Sequence, residues 1–294
     1  MNPRFLVVLI ATGCATSPSS PTSQPSSQPA SQAASQPASQ RRAADGIERL
    51  SQTPAGQIVL GAIERHGGLE KWFAGGALTF RYAYRPVGDR PGRVSTQTID
   101  LIDSRAYHTL EEPMKGEIAW DGAQAWSKLE GDGDFAARFW ALTPYYFVAM
   151  PFVLGDPGVR LDLSEDDPTQ AGFPADTDVV KATFDPGTGD APDDYYVLYF
   201  AADDHRLLGL RYIVTYFDRP GGPKEKLLVY EDEAPAGPLT LARTHTTYAF
   251  GEGVRGEKVT ESKIDGVVYG ATFDASRLTM PEGAKVDAAK PAGT

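Results

Sequence analysis

Cysteine is nearly absent from this sequence, since Cys14 is the single one in 294 residues. One cysteine excludes an intramolecular disulfide and a zinc site built from several cysteines. Basic residues are also scarce: 28 lysines and arginines stand against 39 acidic residues, for a net charge of -11. Because no basic cluster is available to bind phosphates, we do not expect nucleic acid as a partner.

Long apolar runs are missing as well, and the one near the N-terminus covers only residues 5–10. Arg4 precedes it, small residues follow at 11–13, and Cys14 comes next. The run is too short to span a bilayer, so residues 1–14 are predicted to be a signal peptide. They resemble a bacterial lipoprotein signal, in which Cys14 would carry acyl chains such as palmitate and become the mature N-terminus. The alternative is an ordinary secretory signal with an incidental cysteine.

Residues 15–44 consist almost entirely of Ser, Pro, Gln and Ala, which cannot fill a core. We therefore expect a disordered tether, followed by a folded domain at 45–285 and a disordered tail at 286–294. In the resemblance to lipoprotein signals, Ala15 after the cysteine implies the periplasmic side of the outer membrane rather than the inner membrane. The predicted location is thus the cell envelope, with a lipid anchor.

The folded region opens with helical signals and continues with strands. Thr53 and Pro54 predict a helix start, and Gly67 predicts its end after His66, where the helix dipole would favour a charged imidazole. From residue 77 onwards the apolar pattern has a period of two. Short Gly-, Pro- and Asp-containing connections between strands indicate an antiparallel meander, and so many strands must curl, split or close.

An aromatic segment at 135–158 interrupts the strands. Its apolar spacing up to Leu142 fits a helix, and Pro144 predicts a break at Thr143. A second helical turn would then run to Pro151. We expect this segment to lie across the face of the sheet, either as core or as the lining of a ligand site.

Candidate catalytic residues are few. His108 and His245 fall in strand patterns, and no nucleophile motif accompanies any of the four histidines. Asp203, Asp204 and His205 form the best metal-like cluster, but a hairpin turn explains Asp-Asp at this position better. We expect no catalytic residue, metal or cofactor.

The order of several motifs carries a family resemblance. HGGLEKW, LTFRYAY, IAWDGAQAW, TPYYFVAMPFVLGDPG and YYVLYFAADDHRLLGLRYIV follow one another within residues 56–280. Together they resemble the periplasmic lipoprotein-sorting carriers of the LolA/LolB type. The resemblance implies a mainly β fold, a strongly curved antiparallel half-barrel with helices covering its concave face.

In that family the hollow binds acyl chains of lipids or lipoproteins. The resemblance would place strand and hairpin residues at the wall of the hollow and the aromatic segment at its lid. The implied ligand-binding residues are Leu78, Phe80, Tyr82, Trp120, Trp126, Phe139, Trp140, Tyr146, Phe147, Met150 and Phe152.

Three functions remain open from the sequence. The first is a membrane-anchored binder of a lipid or acyl chain, with other lipoproteins as further partners. The second is a non-catalytic interaction module of the cell envelope, whose hollow is filled by its own side chains. The third, more remote, is a hydrolase with scattered site residues. A continuous apolar cavity would favour the first, and a packed interior the second.

Overall fold

A computed structural model describes residues 37–111, 113–131, 135–186, 188, 193–217 and 220–287. Cys14, the predicted signal peptide and most of the predicted tether lie outside the described residues, as does 288–294 of the predicted tail. The chain from Pro37 to Thr294 forms one compact unit.

The described part of the chain contains four α-helices, three short 3-10 helices and fifteen strands. The α-helices are α1 Ala38–Ser51, α2 Pro54–His66, α3 Leu69–Ala74 and α4 Ala137–Val148. The 3-10 helices are Phe152–Gly155, Pro168–Ala171 and Ala275–Leu278. The strands are β1 Ala77–Pro86, β2 Arg93–Asp100, β3 Ala106–Leu110, β4 Gly116–Trp120, β5 Ala125–Leu129, β6 Val159–Leu163, β7 Asp178–Phe184, β8 Tyr196–Phe200, β9 Leu207–Tyr212, β10 Lys226–Glu231, β11 Ala234–Ala236, β12 Leu239–Leu241, β13 Thr244–Gly251, β14 Val254–Tyr269 and β15 Lys285–Asp287.

Thirteen strands form one antiparallel sheet in the order β15-β5-β4-β3-β2-β1-β14-β13-β10-β9-β8-β7-β6. Two meanders, β1–β5 and β6–β10, are joined through the β13–β14 hairpin, which lies between β1 and β10. The expectation of a mainly β, antiparallel meander is confirmed. β15 includes Val286 and Asp287, so the predicted tail begins within a strand.

Alternating side chains give this sheet two apolar faces. One face packs against the helices through Leu78, Phe80, Ile99, Val180, Leu198, Leu210 and Leu228. On the opposite face, Val179, Val197, Tyr199, Leu227 and Phe250 pack beside Ala171 and Phe173, whereas Tyr107, Ala119 and Trp126 pack beside Phe273 and Leu278. The α-helices therefore cover a single face, as the sequence predicts.

The folded chain begins earlier than the predicted boundary at 45, because α1 starts at Ala38. This helix buries Ala43, Gly46 and Leu50. A Cβ at Gly46 would come within 2.7 Å of Leu69 Cδ1 and 3.2 Å of the Gly155 carbonyl oxygen, so glycine permits the close packing of α1 at this point. Residues 38–44 are helical and do not belong to a flexible tether. Composition misled the prediction, since this part of the segment still resembles the Ser/Ala/Gln run before it.

The start of α2 confirms the predicted cap. Thr53 is extended, and its Oγ1 accepts a hydrogen bond from the Gly56 N–H at 3.0 Å. We expect Thr53→Ala to lower the free energy of unfolding by about 1 kcal/mol, because one helix N–H loses its partner. Urea unfolding measures this. As a control, Ser51→Ala should leave stability nearly unchanged, since Ser51 Oγ only donates to the exposed Glu48 carbonyl. Equal losses in both variants would refute the capping role.

The predicted break at Pro144 is wrong, because α4 continues from Ala137 to Val148 with Pro144 inside it. A proline in a helix interior costs about 3 kcal/mol, since it removes one backbone hydrogen bond and crowds the preceding turn. Burial of Ala141, Pro144, Phe147 and other residues on one side of α4 offsets this cost. Tertiary packing here overrides the local preference. The helix also ends at Val148, before the predicted limit at Pro151.

Candidate functional site

Two adjoining cavities lie between α4 and the sheet. The larger, which we call the aromatic cavity, has a volume of about 260 Å³. The smaller, the side cavity, has a volume of about 80 Å³. They share the lining residues Phe139, Thr143, Phe147, Tyr212 and Val214.

One side of α4 forms the roof of the aromatic cavity. Phe139, Thr143 and Phe147 recur every four residues, which places them on one side of the helix. Phe147 packs edge-on against Tyr212, with ring centroids 5.2 Å apart. The Tyr230 hydroxyl donates to the Phe147 carbonyl at 3.0 Å and thereby ties the last turn of α4 to β10.

The floor of the aromatic cavity combines rings with hydroxyl groups. Tyr82 on β1 hydrogen-bonds with Ser262, and Tyr212 on β9 hydrogen-bonds with Thr247. Burial raises the pKa of both tyrosines above its ordinary value, so they stay neutral. A ligand in this cavity therefore meets mainly apolar rings and uncharged hydroxyls, with Lys226 as a charged residue of the lining.

Among the described residues that line the side cavity, one carries a carboxylate, Asp194. The backbone N–H and the hydroxyl of Thr215 both donate to its Oδ1 at 2.7 Å. Burial raises the pKa of Asp194, and these two hydrogen bonds oppose the shift. The remaining lining is largely aromatic and aliphatic, including Tyr146, Phe184, Tyr196, Ile213 and Tyr216.

The sequence and the fold can each be compared with those of known proteins. No family model and no curated protein matches the sequence. Among solved structures, a LolA superfamily protein from Nitrosomonas europaea superposes with a TM-score of 0.52 at 11% identity, over 78% of this chain and 98% of that chain. The chain has the LolA-superfamily fold.

Two further solved structures are also similar to this LolA-like chain. An outer membrane lipoprotein-sorting protein domain from Vibrio parahaemolyticus gives a TM-score of 0.47 at 12% identity, over 76% of this chain and 94% of that one. A DUF1329 family protein from Desulfovibrio piger gives 0.49 at 11% identity, over 78% and 98%.

Five of the residues that the resemblance implied line the cavities of this LolA-like chain. Tyr82, Phe139, Trp140 and Phe147 line the aromatic cavity, and Phe139, Tyr146 and Phe147 line the side cavity. Helix α4 and strand β1 thus bring together the two segments that the sequence singled out.

Four other implied residues are core residues. Leu78, Phe80, Met150 and Phe152 are buried, with 4% exposure or less, and they pack in the main hydrophobic core. Phe152 stacks on Trp72, with ring centroids 4.4 Å apart and planes inclined by 5°. They support the fold beside the cavities and do not line them.

The two implied tryptophans lie on the β4–β5 hairpin but on opposite faces of the sheet. Trp120 packs with Ala137 and Ala141 of α4, and the Arg138 guanidinium lies 4.4 Å from its ring. Trp126 packs on the other face, where its Nε1 donates to the Leu278 carbonyl at 2.9 Å. Trp126 therefore cannot share a hollow with Trp120, because Ala119, not Trp120, is its partner in register.

Sequence reasoning missed several residues that line the two cavities. These are chiefly Tyr84, Tyr196, Tyr212, Val214, Tyr216 and Phe217. The sequence pattern could have indicated two of them. Tyr196 and Tyr212 are partners in register and alternate with residues of the opposite face, so the period-two pattern could have assigned them to the helix-covered side.

His66 corrects another expectation, since its imidazole is not a charged cap. The residue is 4% exposed, and burial lowers its pKa below 6.5. Its Nδ1 donates to the Thr240 carbonyl at 3.0 Å, and the Leu207 N–H donates to its Nε2 at 3.4 Å. A neutral ring with these two partners connects α2 to β9 and β12.

The Asp203–His205 cluster lies in the β8–β9 hairpin. His205 has a left-handed backbone with φ of 58°, and Asp204 accepts a hydrogen bond from the Arg206 N–H at 3.0 Å. Among the described residues, no group of three His, Cys, Asp or Glu side chains could hold a metal ion. Nor does any described helix have the length and hydropathy needed to cross a membrane.

Proposed function

We propose that this protein binds an acyl chain of a lipid or lipoprotein in the aromatic and side cavities, as a non-catalytic, membrane-anchored component of the cell envelope. The proposal rests on the two adjoining cavities between α4 and the sheet. Together they reach the lower end of the range for ligand pockets, about 300 Å³. Each buried CH₂ group of a chain would contribute about 0.8 kcal/mol.

In this proposal α4 is the lid over the hollow side of a curved half-barrel. Phe139, Trp140 and Phe147 cover the aromatic cavity from the side of α4, and movement of this helix would widen it for loading and release. Its contacts with the floor are mostly aromatic packing, together with the Tyr230 hydrogen bond. Such contacts can be exchanged for contacts with a ligand, and movement of Trp140 would also uncover the Arg93 guanidinium.

We further propose that Cys14 is acylated and anchors the protein to the periplasmic face of the outer membrane. Residues 15–37 would then serve as the tether, because folding begins at α1. With coil scaling, a tether of this length spans roughly 25 Å. The bound chain could thus be exchanged with the membrane or with another lipoprotein nearby.

A second candidate function is a cell-envelope interaction module with a filled interior. The observation in its favour is the complete burial of Leu78, Phe80 and Phe152 among the protein's own side chains. In that case the surface, not the cavity, would be functional, and no ligand would be taken up.

A variant that fills the cavities distinguishes the two candidate functions. In a fragment of residues 37–294, Thr143→Trp places an indole where the aromatic and side cavities meet. We expect native mass spectrometry and organic extraction to find lipid on the unmodified fragment and little on the variant. Titration with a fluorescent fatty acid should show at least about tenfold weaker binding, equal to 1.4 kcal/mol.

The matched control is Thr96→Trp, which adds the same group at an exposed position of β2. It should bind as the unmodified fragment does, and thermal unfolding should show that both variants are folded. Absence of lipid and of fatty-acid uptake by the unmodified fragment would refute the proposal in favour of the filled module. Unchanged binding by Thr143→Trp would place the ligand elsewhere.

A further inference from the structure

A third, very small space lies next to the aromatic cavity and differs from it in chemistry. We call it the polar pocket. Its volume is about 10 Å³, and Tyr82, Tyr84, Trp140 and Pro144 line both it and the aromatic cavity. The rest of its lining comes from β2, β3 and β4, namely Arg93, Ser95, Gln97, His108, Leu110 and Ile118.

Three polar side chains of this pocket have buried atoms without hydrogen-bond partners among the described residues. These atoms are Nε and Nη1 of Arg93, Oε1 of Gln97 and Nε2 of His108. Gln97 and His108 are each only 1% exposed. Buried polar groups are nearly always hydrogen-bonded, so several unpaired ones in a single pocket indicate a missing polar partner.

The charge in the polar pocket is positive. Burial lowers the pKa of Arg93 to about 10, which leaves the guanidinium protonated at neutral pH. Burial also lowers the pKa of His108 to about 3, so its imidazole is neutral. Among the described residues that line the pocket, none carries a carboxylate. An anion would therefore complement the positive charge of the polar pocket.

The guanidinium of Arg93 is covered by aromatic rings. It lies 3.7 Å from the Trp140 ring centroid and 4.8 Å from that of Phe135. Cation–π contacts of this kind compensate a buried cation only in part. A carboxylate forms two parallel hydrogen bonds with a guanidinium and compensates it better.

We propose that the chain bound in the aromatic cavity ends in a carboxylate, and that this carboxylate pairs with Arg93 in the polar pocket. The inference rests on the proposed function and narrows it to fatty acids. It also gives Trp140 a second role, because its ring lies at the boundary between the two spaces.

Binding in this way requires local rearrangement, because the polar pocket has room for about one water molecule. The Trp140 ring must turn away from the guanidinium to admit the carboxylate. Gln97 can assist, since its amide now donates to Ser95 Oγ at 2.9 Å. A hydroxyl can donate or accept, so the amide can turn and direct its NH₂ group towards the anion.

The test compares an acid with its neutral ester. Nile red is loaded into the fragment of residues 37–294 and displaced with dodecanoate or with methyl dodecanoate. We expect the acid to compete at least about tenfold more strongly, as a charge-assisted hydrogen bond implies. Arg93→Met should abolish the preference while the ester still binds, and Arg93→Lys should keep part of it.

The matched control is Arg160→Met, because Arg160 lies on the edge strand β6 far along the sheet and is largely exposed. It should keep the full preference for the acid. Acetate alone should not displace the dye, since the chain supplies most of the affinity. Displacement by acetate would assign the pocket to a small anion and overturn the proposal.

The outcomes separate this inference from the proposed function. If acid and ester displace the dye equally well, the function stands and the role of Arg93 is refuted. If neither displaces it, the proposed function itself fails. Unfolding of Arg93→Met provides a further check, because it removes a partly buried cation without a carboxylate partner and keeps an apolar side chain against Trp140, so the free energy of unfolding should change little.

Discussion

Lowering the pH from 7 to 5 is expected to destabilise the protein by about 4 kcal/mol through two buried histidines, because each of them contributes a loss of about 1.36 kcal/mol for every pH unit below 6.5. His108 and His245 are each 1% exposed, and burial lowers the pKa of both from 6.5 to about 3. The Nδ1 atom of His245 has no hydrogen-bond partner among the described residues, and its ring packs against Tyr230.

The direction of the effect follows from proton uptake on unfolding. Below pH 6.5 the unfolded chain binds protons on these histidines and the folded chain does not, so acid favours the unfolded state. The stabilisation is complete above 6.5 and is lost progressively as the pH falls towards 3. Urea unfolding at several pH values between 7 and 5 measures the slope.

The variant His245→Phe should keep the aromatic packing and remove one titrating group, whereas His66 and His108 are present in both proteins. We expect its stability to decrease by about 2 kcal/mol less than that of the unmodified protein over the same range. Carboxylates with raised pKa values, such as Asp156, titrate equally in both proteins and cancel in the comparison. Identical slopes would show that His245 is protonated in the folded protein.

Replacing Phe152 by alanine should lower the free energy of unfolding by about 3–5 kcal/mol, the usual cost of removing a buried phenylalanine ring. The ring is 0% exposed and stacks on Trp72, which is itself 1% exposed. This pair joins α3 to the 3-10 helix that follows α4, so its loss leaves a cavity between rigid elements that cannot collapse into it.

The control for this prediction is Phe152→Leu, which fills much of the same volume. It should lose only about 1–2 kcal/mol, and both variants are compared by urea unfolding at neutral pH. If the alanine variant lost no more than the leucine variant, the segment after α4 would be repacking freely. The free energy of binding the fluorescent fatty acid should change less than the free energy of unfolding, because Phe152 does not line the cavities.

The fold was largely predictable because its strands obey local rules. Period-two alternation and Gly, Pro or Asp turns indicate the meander, and the pairing of β3 with β4 follows from a short connection. The central position of the β13–β14 hairpin was not predictable. It depends on pairing between β1 and β14, residues far apart in the chain, such as Leu78 with Tyr269.

The site was predictable in its aromatic half and not in its polar half. The density of aromatic residues between 135 and 158 is enough to indicate Phe139, Trp140 and Phe147. Arg93 and Gln97 carry no such signal, because single polar residues in a strand are typical of a solvent-exposed face. Only the folded chain shows that α4 covers them, and that Pro144 does not interrupt this cover.

The attachment of α1 has a mechanical consequence. Arg42 forms an ion pair with Asp156 at 2.8 Å, and Arg49 donates to the Gly155 carbonyl. Any tension that reaches the domain from residues before Ala38 is therefore carried first by α1. From there it acts on the segment directly after α4. Two arginines therefore couple the start of α1 to the end of the helix that covers the cavities.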